Sequence, residues 1–298
     1  MNLLIFLKVT LAFTLRRKVA IVTGGTRGIG FGISEALAKK RYDLLLSYNS
    51  DYKSAIDACK YLEKKYDCNV ELFSGDISLK STRKKLFKCY DLKYKHSHHL
   101  GVVIHNAGQY VGITSGNSDG LNKPAKNLSF GDGSMFNTYT DELDMSVMRF
   151  YQKMYGEAYI DICERSIVRM KNGGSLIGIS SPGCTTQFNP SPGYDMPGSG
   201  KCIMEYAMRL FALRCAPLGI NCNVVIPGFT KTDAWDRIGA SLQTTGDNMI
   251  ENMAEKYSPN GSMTPEEVGE GIYLLCSPEG RHITGVSLPI DKGVHLKI

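Results

Sequence analysis

Three side chains in the second half of the sequence could together move a proton: the hydroxyl of Ser181, the phenol of Tyr194 and the amine of Lys201. A free tyrosine, with a pKa of ~10, is a weak acid–base group at neutral pH. A nearby ammonium stabilises the phenolate and lowers that pKa, so the phenol donates more readily to an oxygen that gains negative charge. Lys201, seven residues after Tyr194, is the candidate ammonium.

A glycine-rich turn near the amino terminus predicts a phosphate-binding site. The stretch 18–40, KVAIVTGGTRGIGFGISEALAKK, passes from a short apolar strand through Gly24, Gly28 and Gly30 into an amphipathic helix. Backbone N–H groups and the positive end of the helix dipole would face a phosphate there. Glycines are needed because a Cβ would block the approach of the backbone to a pyrophosphate. The spacing is TGxxxGxG, not the GxGxxG of most dinucleotide folds.

The elements that would position these groups alternate between apolar runs and helical patterns, which predicts one doubly wound α/β domain with a parallel sheet. The 298 residues are enough for one such domain with a large core. Pro289 in the last run predicts an edge or strand-end position. The predicted strands after the first are 43–48, 70–73, 100–105, 173–181, 221–226 and 283–291.

Composition narrows the function classes. The hydrophobic content of 43% and charged content of 21% are ordinary for a globular protein. A net charge of +6 fits an anionic cofactor or substrate and does not imply nucleic acid. The nine cysteines include no CxxC pair, which favours reduced thiols in a reducing cytoplasmic or organellar compartment. We interpret the tract His96–His99 as a solvated loop and predict no metal site.

Three stretches depart from the alternating pattern. Residues 1–17 are apolar but short of the ~20 residues that a membrane span needs. A targeting segment, an interfacial helix and an extension packed on the domain 18–298 all stay open for them. Residues 109–140 form an insertion, either a substrate-side cover or a partly disordered segment. Residues 233–262 have the character of a mobile substrate lid.

In the order of its motifs, over about residues 18–292, the sequence resembles the short-chain dehydrogenase/reductase family. The motifs are the glycine turn, Asn106-Ala107-Gly108 after an apolar strand, the serine, tyrosine and lysine described above, and Pro227-Gly228 after a later strand. The resemblance implies a three-layer α/β/α Rossmann fold and a hydride-transferring oxidoreductase. It also implies that Ser181 polarises a substrate carbonyl, that Tyr194 supplies the proton, and that Lys201 tunes Tyr194 and binds the nicotinamide ribose.

The resemblance also assigns cofactor contacts. It implies that Asp76 with Ile77 lies at the adenine edge, that Pro227-Gly228 contacts the nicotinamide carboxamide, and that Thr230 binds the pyrophosphate. The full set of predicted cofactor-binding residues is Gly24, Thr26, Arg27, Gly28, Ile29, Gly30, Asn49, Asp76, Ile77, Asn106, Ala107, Gly108, Tyr194, Lys201, Pro227, Gly228 and Thr230.

The end of the second predicted strand favours NADP(H) over NAD(H). Enzymes that select NAD usually place an acidic residue there to bind the ribose 2′-hydroxyl. Here the strand ends in Ser47-Tyr48-Asn49-Ser50, and the first acid is Asp51. Arg27 in the glycine turn is a ready partner for a 2′-phosphate.

The spacing of tyrosine and lysine departs from the usual family pattern. The family lysine stands four residues after the tyrosine, where this chain has Gly198, and Lys201 comes three residues later. This spacing resembles enoyl-acyl carrier protein reductases, whereas the glycine turn resembles ketoreductases. The relay asparagine of the family is also absent from the stretch 153–156 of a helix predicted over 141–170. Because Pro197 and Gly198 disfavour a helix interior, we expect the helix that carries the lysine to begin near Ser199.

The sequence therefore predicts an NADPH-dependent oxidoreductase that transfers a hydride to a carbonyl or an enoyl group of a small molecule or an acyl thioester. The resemblance implies a homodimer or homotetramer packed through the helices that flank the active site. The alternative is an NADP(H)-binding sensor or scaffold that has lost catalysis, as the missing asparagine and the displaced lysine would allow. Neither nucleic acid nor a metal is an expected partner, and membrane association through residues 1–17 stays open.

Overall fold

A parallel sheet forms the centre of the protein. The computed structural model describes residues 17–108, 136–137, 141–143, 145–182, 184, 195–236 and 244–297. The insertion 109–140 and the N-terminal segment therefore fall almost wholly outside the described residues, and so does Tyr194. The strands are β1 (Lys18–Thr23), β2 (Asp43–Tyr48), β3 (Val70–Ser74), β4 (His99–His105), β5 (Phe136–Asn137), β6 (Glu142–Leu143), β7 (Gly174–Ile179), β8 (Ile220–Pro227) and β9 (Ser287–Ile290).

The order of the strands confirms the predicted doubly wound fold. Seven strands pair in the order β3-β2-β1-β4-β7-β8-β9, and every pair is parallel. The order reverses between β1 and β4, and a crevice at such a reversal is where ligands bind in open α/β sheets. Strand β9, which contains Pro289, lies at the edge as predicted. The short strands β5 and β6 pair antiparallel in a separate ribbon.

Helices cover both faces of the sheet. They are α1 (Gly28–Lys39), α2 (Tyr52–Lys65), α3 (Lys80–Lys93), α4 (Ser146–Tyr151), α5 (Ala158–Ile167), α6 (Asp195–Cys215), α7 (Gly246–Tyr257) and α8 (Pro265–Cys276), with a π-helix at Gln152–Glu157. Strand β1 shows why two layers are needed. Its Val19 and Ile21 pack into the core on one face, whereas Ala20 and Val22 pack into the core on the other. All four are fully buried.

Helices α1 and α8 meet through glycine. A Cβ at Gly32 would lie 2.0 Å from the carbonyl oxygen of Pro265, and a Cβ at Gly269 would lie 2.2 Å from the carbonyl oxygen of Gly32. Both distances are far below any real contact, so only glycine permits this approach. The contact fixes the helix that follows the glycine-rich turn against a helix near the end of the chain.

Two helical expectations were wrong. The helix predicted over 141–170 is instead α4, the π-helix and α5, spanning Ser146–Ile167. The helix expected to begin near Ser199 begins at Asp195. Pro197 is tolerated because it lies in the first turn, where backbone N–H groups have no partner within the helix.

Within the described ranges, no helix is long and apolar enough to cross a membrane, and no group of His, Cys, Asp and Glu side chains is arranged to hold a metal ion. All nine cysteines are free thiols. Of the predicted lid, residues 233–236 and 244–262 are described and include α7, and its role as a lid stays a prediction.

Candidate active site

The glycine turn between β1 and α1 has the shape that a phosphate needs. Gly24 and Gly28 adopt positive φ angles of 63° and 52°. A Cβ at Gly30 would lie 2.0 Å from the carbonyl oxygen of Gly24, so the turn closes tightly on the helix. Arg27, the N-cap residue, makes no side-chain cap hydrogen bond. The first N–H groups of α1 therefore point from an uncapped helix terminus, a ready site for an anion. The residues present fit the diphosphate of a dinucleotide.

A hydrogen-bond network joins this turn to the end of β4. The side-chain nitrogen of Asn106 donates to the carbonyl oxygens of Thr23 (3.2 Å) and Gly24 (3.1 Å). The hydroxyl oxygen of Thr23 accepts from the backbone N–H groups of Asn106 and Ala107, each at 3.0 Å. The network holds the Asn106-Ala107-Gly108 stretch directly beside the glycine turn.

His105 extends the network to the π-helix. Its Nε2 lies 2.9 Å from the carbonyl oxygen of Met154, and its Nδ1 lies 3.0 Å from the hydroxyl oxygen of Thr23. A carbonyl only accepts, so Nε2 carries the proton and Nδ1 accepts from Thr23. Burial lowers the pKa of His105 to about 4, which keeps the ring neutral at physiological pH.

Ser181 and Lys201 come together at the carboxyl end of β7. The Nζ of Lys201 donates to the hydroxyl oxygen of Ser181 at 2.6 Å. Lys201 is only 6% exposed although it carries a charge, so its ammonium is held inside the protein next to the hydroxyl. Strands β4 and β7 are neighbours, with His105 opposite Gly178, so the serine and lysine lie near the Asn106-Ala107-Gly108 stretch.

An aromatic ring covers the lysine. The Nζ of Lys201 lies 4.8 Å from the centroid of the Tyr155 ring, and Tyr155 is 4% exposed. A Cβ at Gly108 would lie 2.9 Å from the hydroxyl oxygen of Tyr155. The ring therefore extends from the lysine to the end of the Asn106-Ala107-Gly108 stretch.

A buried carboxyl group supports the serine end of β7. Glu205, one turn after Lys201 on α6, accepts hydrogen bonds from the hydroxyls of Ser180 and Ser287, the second at 2.7 Å. Burial raises the pKa of Glu205, and the serine hydroxyls oppose that shift. Glu205 thus connects α6 to β9 and to Ser180, the residue that precedes Ser181 at the end of β7.

At the end of β2, Arg27 lies beside an acid. Its Nη1 is 3.6 Å from a carboxylate oxygen of Asp51, and both side chains are exposed. Asp51 also caps α2, where it accepts from the backbone N–H of Ser54 at 3.1 Å and from the Ser54 hydroxyl at 2.8 Å. An arginine at this place can pair with a phosphate, and the carboxylate beside it competes for the same arginine.

The other predicted cofactor residues lie along the same edge of the sheet. Asp76 accepts from the backbone N–H of Ser78 at 2.8 Å and so shapes the loop between β3 and α3, whose N-cap residue is Leu79. The hydroxyl of Thr230 donates its proton to the carbonyl oxygen of Gly228 at 2.9 Å, an intramolecular hydrogen bond. The residues Thr26, Ile77 and Pro227 are buried, Ile29, Ala107 and Gly228 are partly buried, and Asn49 is exposed.

Sequence reasoning missed Thr232, His105, Tyr155 and Glu205. A Cβ at Gly28 would lie 3.4 Å from the methyl group of Thr232, which makes this threonine a neighbour of the turn. His105 adjoins a motif that the sequence analysis used, and its polar ring at the end of an apolar strand was an available signal. Tyr155 carried no such signal because its position depends on a π-helix.

Comparison with known proteins agrees with the fold. Residues 138–295 match the family profile described as "Enoyl-(Acyl carrier protein) reductase". The hydroxynaphthalene reductase-like protein Arp2 of Metarhizium anisopliae is 28% identical over 283 residues, which are 94% of this chain and 86% of that protein. The tetrahydroxynaphthalene reductase PfmaG of Pestalotiopsis fici is 25% identical over 284 residues, covering 93% of this chain and 91% of that one.

The fold is shared with solved structures of low sequence identity. The L-sorbose reductase of Gluconobacter frateurii, solved with NADPH and L-sorbose, superposes with a TM-score of 0.75 at 19% identity and covers 95% of this chain and 98% of its own. YwfH, an NADPH-dependent reductase of bacilysin biosynthesis, gives a TM-score of 0.74 at 21% identity over 93% and 98% of the two chains.

Proposed function

We propose that this chain, which belongs to the short-chain dehydrogenase/reductase family of oxidoreductases, uses NADPH to reduce a carbonyl group of a small molecule. The observation that carries the proposal is the 2.6 Å contact between the ammonium of Lys201 and the hydroxyl of Ser181. A buried ammonium and a hydroxyl at the carboxyl end of a central strand are what a carbonyl oxygen needs as it gains negative charge.

Three side chains would act on the carbonyl oxygen of the substrate. The hydroxyl of Ser181 orients it by a hydrogen bond, and the phenol of Tyr194 donates the proton. The ammonium of Lys201 lowers the pKa of that phenol by stabilising the phenolate. The reduced nicotinamide ring supplies the hydride when the cofactor is bound.

The cofactor would be held along the edge formed by β1, β2 and β4. The N–H groups of the turn after β1 bind the diphosphate, and the Asn106-Ala107-Gly108 stretch lines the nicotinamide side. Arg27 would bind the 2′-phosphate of NADPH once it leaves Asp51, 3.6 Å away. This is why we favour NADP(H) over NAD(H). The NADPH bound to the solved sorbose reductase and the NADPH dependence of YwfH support the choice.

A carbonyl substrate is favoured over an enoyl thioester by the names of the relatives. Arp2 is named a hydroxynaphthalene reductase-like protein and PfmaG a tetrahydroxynaphthalene reductase, and the sorbose reductase was solved with the keto sugar L-sorbose. The matching family profile, in contrast, carries the name of an enoyl reductase. Both substrate types therefore belong in the test.

The direct test follows oxidation of NADPH by the purified full chain. The substrates are a tetrahydroxynaphthalene, a small diketone, an acetoacetyl thioester and a crotonyl thioester, each also tried with NADH. We expect turnover of a ketone, and Lys201→Met and Ser181→Ala should each reduce kcat/KM by roughly 100-fold or more, as loss of a positioned oxyanion donor does. Turnover of the crotonyl thioester alone would assign enoyl reduction instead.

The alternative sensor or scaffold function predicts a different result. Such a protein would bind NADPH without oxidising it with any substrate, and a Tyr194→Phe variant would behave like the parent. Failure to bind NADPH at all would refute both functions.

We also propose that the chain forms a homodimer or homotetramer in a reducing compartment. Exposed apolar side chains on the neighbouring helices α5 and α6 support an oligomer: Ile160, Tyr206, Leu210 and Leu213 are 37%, 62%, 53% and 77% exposed. Such side chains would be covered by a second copy of the same helices. Free thiols at all nine cysteines support the compartment.

A further inference from the structure

We propose that Tyr155 is a positioning residue that holds the ammonium of Lys201 at Ser181 with the face of its aromatic ring. The inference deepens the proposed function, on which it rests, by adding a residue that does not touch the substrate. Neither the family motifs nor the spacing of serine, tyrosine and lysine assign a role to Tyr155.

The geometry is that of a cation against a ring. The Nζ of Lys201 lies 4.8 Å from the ring centroid, within the ~6 Å over which the negative face of an aromatic ring attracts an ammonium. Both residues are nearly buried, with exposures of 6% for Lys201 and 4% for Tyr155. Exclusion of water strengthens the attraction, because little solvent screens the charge. The same Nζ donates to Ser181 at 2.6 Å, so ring and hydroxyl together fix the ammonium.

The ring is itself held in place. Tyr155 stacks on Tyr151, one turn earlier, with ring centroids 5.8 Å apart and planes inclined by only 6°. Tyr151 directly precedes a π-helix and Tyr155 lies within it, and this form of helix occurs frequently at functional sites. The carbonyl oxygen of Met154, the preceding residue, accepts the hydrogen bond from His105 Nε2 at 2.9 Å. This bond ties the π-helix to the end of β4.

Close packing of α6 brings the lysine to the ring. A Cβ at Gly200 would lie 2.2 Å from the carbonyl oxygen of Tyr151, and a Cβ at Gly156 would lie 2.7 Å from the side chain of Ile203. Two glycines, each adjacent in sequence to one of the interacting residues, therefore let the helices approach at this level. The approach sets the distance between Tyr155 and Lys201.

The hydroxyl end of the Tyr155 ring lies next to the Asn106-Ala107-Gly108 stretch, which would line the nicotinamide in the proposed function. A Cβ at Gly108 would lie 2.9 Å from the Tyr155 hydroxyl oxygen, so the tyrosine fills the space that a side chain there would take. One rigid side chain thus spans from the end of the Asn106-Ala107-Gly108 stretch to the lysine. Displacing it would release the Lys201 ammonium from Ser181 and from the place where the family resemblance implies that it binds the nicotinamide ribose.

A series of rings of nearly constant shape tests this inference. Phenylalanine and its mono-, di- and trifluorinated forms are introduced at position 155 of the full chain, since fluorine withdraws electron density from the ring face and leaves packing almost unchanged. The readouts are the dissociation constant of NADPH, from its fluorescence on binding, and kcat and KM separately. Tyr155→Leu removes the ring. Tyr159→Leu, one turn away, is the control, since Tyr159 is equally buried and packs against Phe211 instead.

We expect Tyr155→Phe to stay within about twofold of the parent, because the ring face is kept. Affinity for NADPH and kcat should fall stepwise with added fluorine, and Tyr155→Leu should lose roughly tenfold in each. Tyr159→Leu should lose stability without either effect. A flat fluorine series in an active parent would overturn the inference alone, and so would a Tyr155→Phe variant as impaired as the leucine variant. A parent that neither binds NADPH nor reduces any substrate would overturn the proposed function as well.

Discussion

His105 should make the protein sensitive to mild acid, and the size of the effect follows from its environment. The ring is 2% exposed, and its pKa is lowered by burial to about 4, against an ordinary value of ~6.5. Below pH ~6.5 the unfolded chain therefore binds a proton at His105, whereas the folded protein keeps this ring neutral until the pH approaches 4. The free energy of unfolding therefore decreases as the pH falls from 6.5 towards 4. The difference between the pKa of His105 in the unfolded and the folded protein corresponds to a loss of about 3 kcal/mol in that free energy.

The physical origin of this loss is specific. A proton on Nδ1 of His105 would occupy the lone pair that accepts the hydrogen bond from the Thr23 hydroxyl, 3.0 Å away. The hydrogen bond from Nε2 to the Met154 carbonyl oxygen would remain. Thr23 also accepts from the backbone of Asn106 and Ala107, so protonation would disturb the stretch beside the glycine turn.

The assay is urea unfolding followed by circular dichroism at several pH values between 7 and 4.5, for the parent and for His105→Gln. The variant should be less stable at pH 7, because glutamine reproduces the two hydrogen bonds poorly. Its stability should then fall less steeply with acid, because one titrating group is missing. Parallel curves for the two proteins would refute the assignment of His105 as the buried neutral group that drives the loss.

Three further outcomes follow from the contacts of single side chains. Arg83→Leu should lower the free energy of unfolding by about 3–5 kcal/mol in urea denaturation. The reason is that the fully buried guanidinium donates to Asp161 at 2.6 Å and to the carbonyl oxygens of Ile77 and Ser78. The control is Arg165→Leu, which loses a more exposed pair with the same Asp161 and should lower that free energy by about 1 kcal/mol or less. Arg27→Ala should weaken NADPH binding by roughly 10- to 100-fold with little change for NADH, whereas Asp51→Asn, which keeps a helix cap, should strengthen NADPH binding in the same fluorescence titration. Leu213→Lys should lower the molar mass measured by light scattering if α6 pairs with a second copy, since this leucine is 77% exposed.

The central strands of the sheet could be predicted from the sequence because they are buried on both faces. The strand 43–48 was predicted with the bounds that it has, since a continuous apolar run between turn residues has few other interpretations. The motif Asn106-Ala107-Gly108 was placed at the end of its strand for the same reason. Family membership followed from the order of such motifs.

The rest of the site depends on packing between segments far apart in sequence. The helix predicted over 141–170 contains a π-helix in which the carbonyl oxygen of Met154 lies 2.9 Å from His105 Nε2, and neither partner signals the other in sequence. Helix α6 begins earlier than Pro197 and Gly198 suggest because local propensity is overridden at a helix terminus. The ring of Tyr155 reaches Lys201 only because Gly156 and Gly200 permit the helices to approach.

The glycine contact between α1 and α8 has a consequence for biosynthesis. Gly32 belongs to the first helix of the described part of the chain, whereas Pro265 and Gly269 are added only when about nine-tenths of the 298 residues have been joined. During most of translation helix α1 therefore lacks the neighbour that covers it. A nascent chain arrested before Thr264 should bind chaperones through that bare surface, and the finished protein should acquire protection from proteases there only at the last step of synthesis.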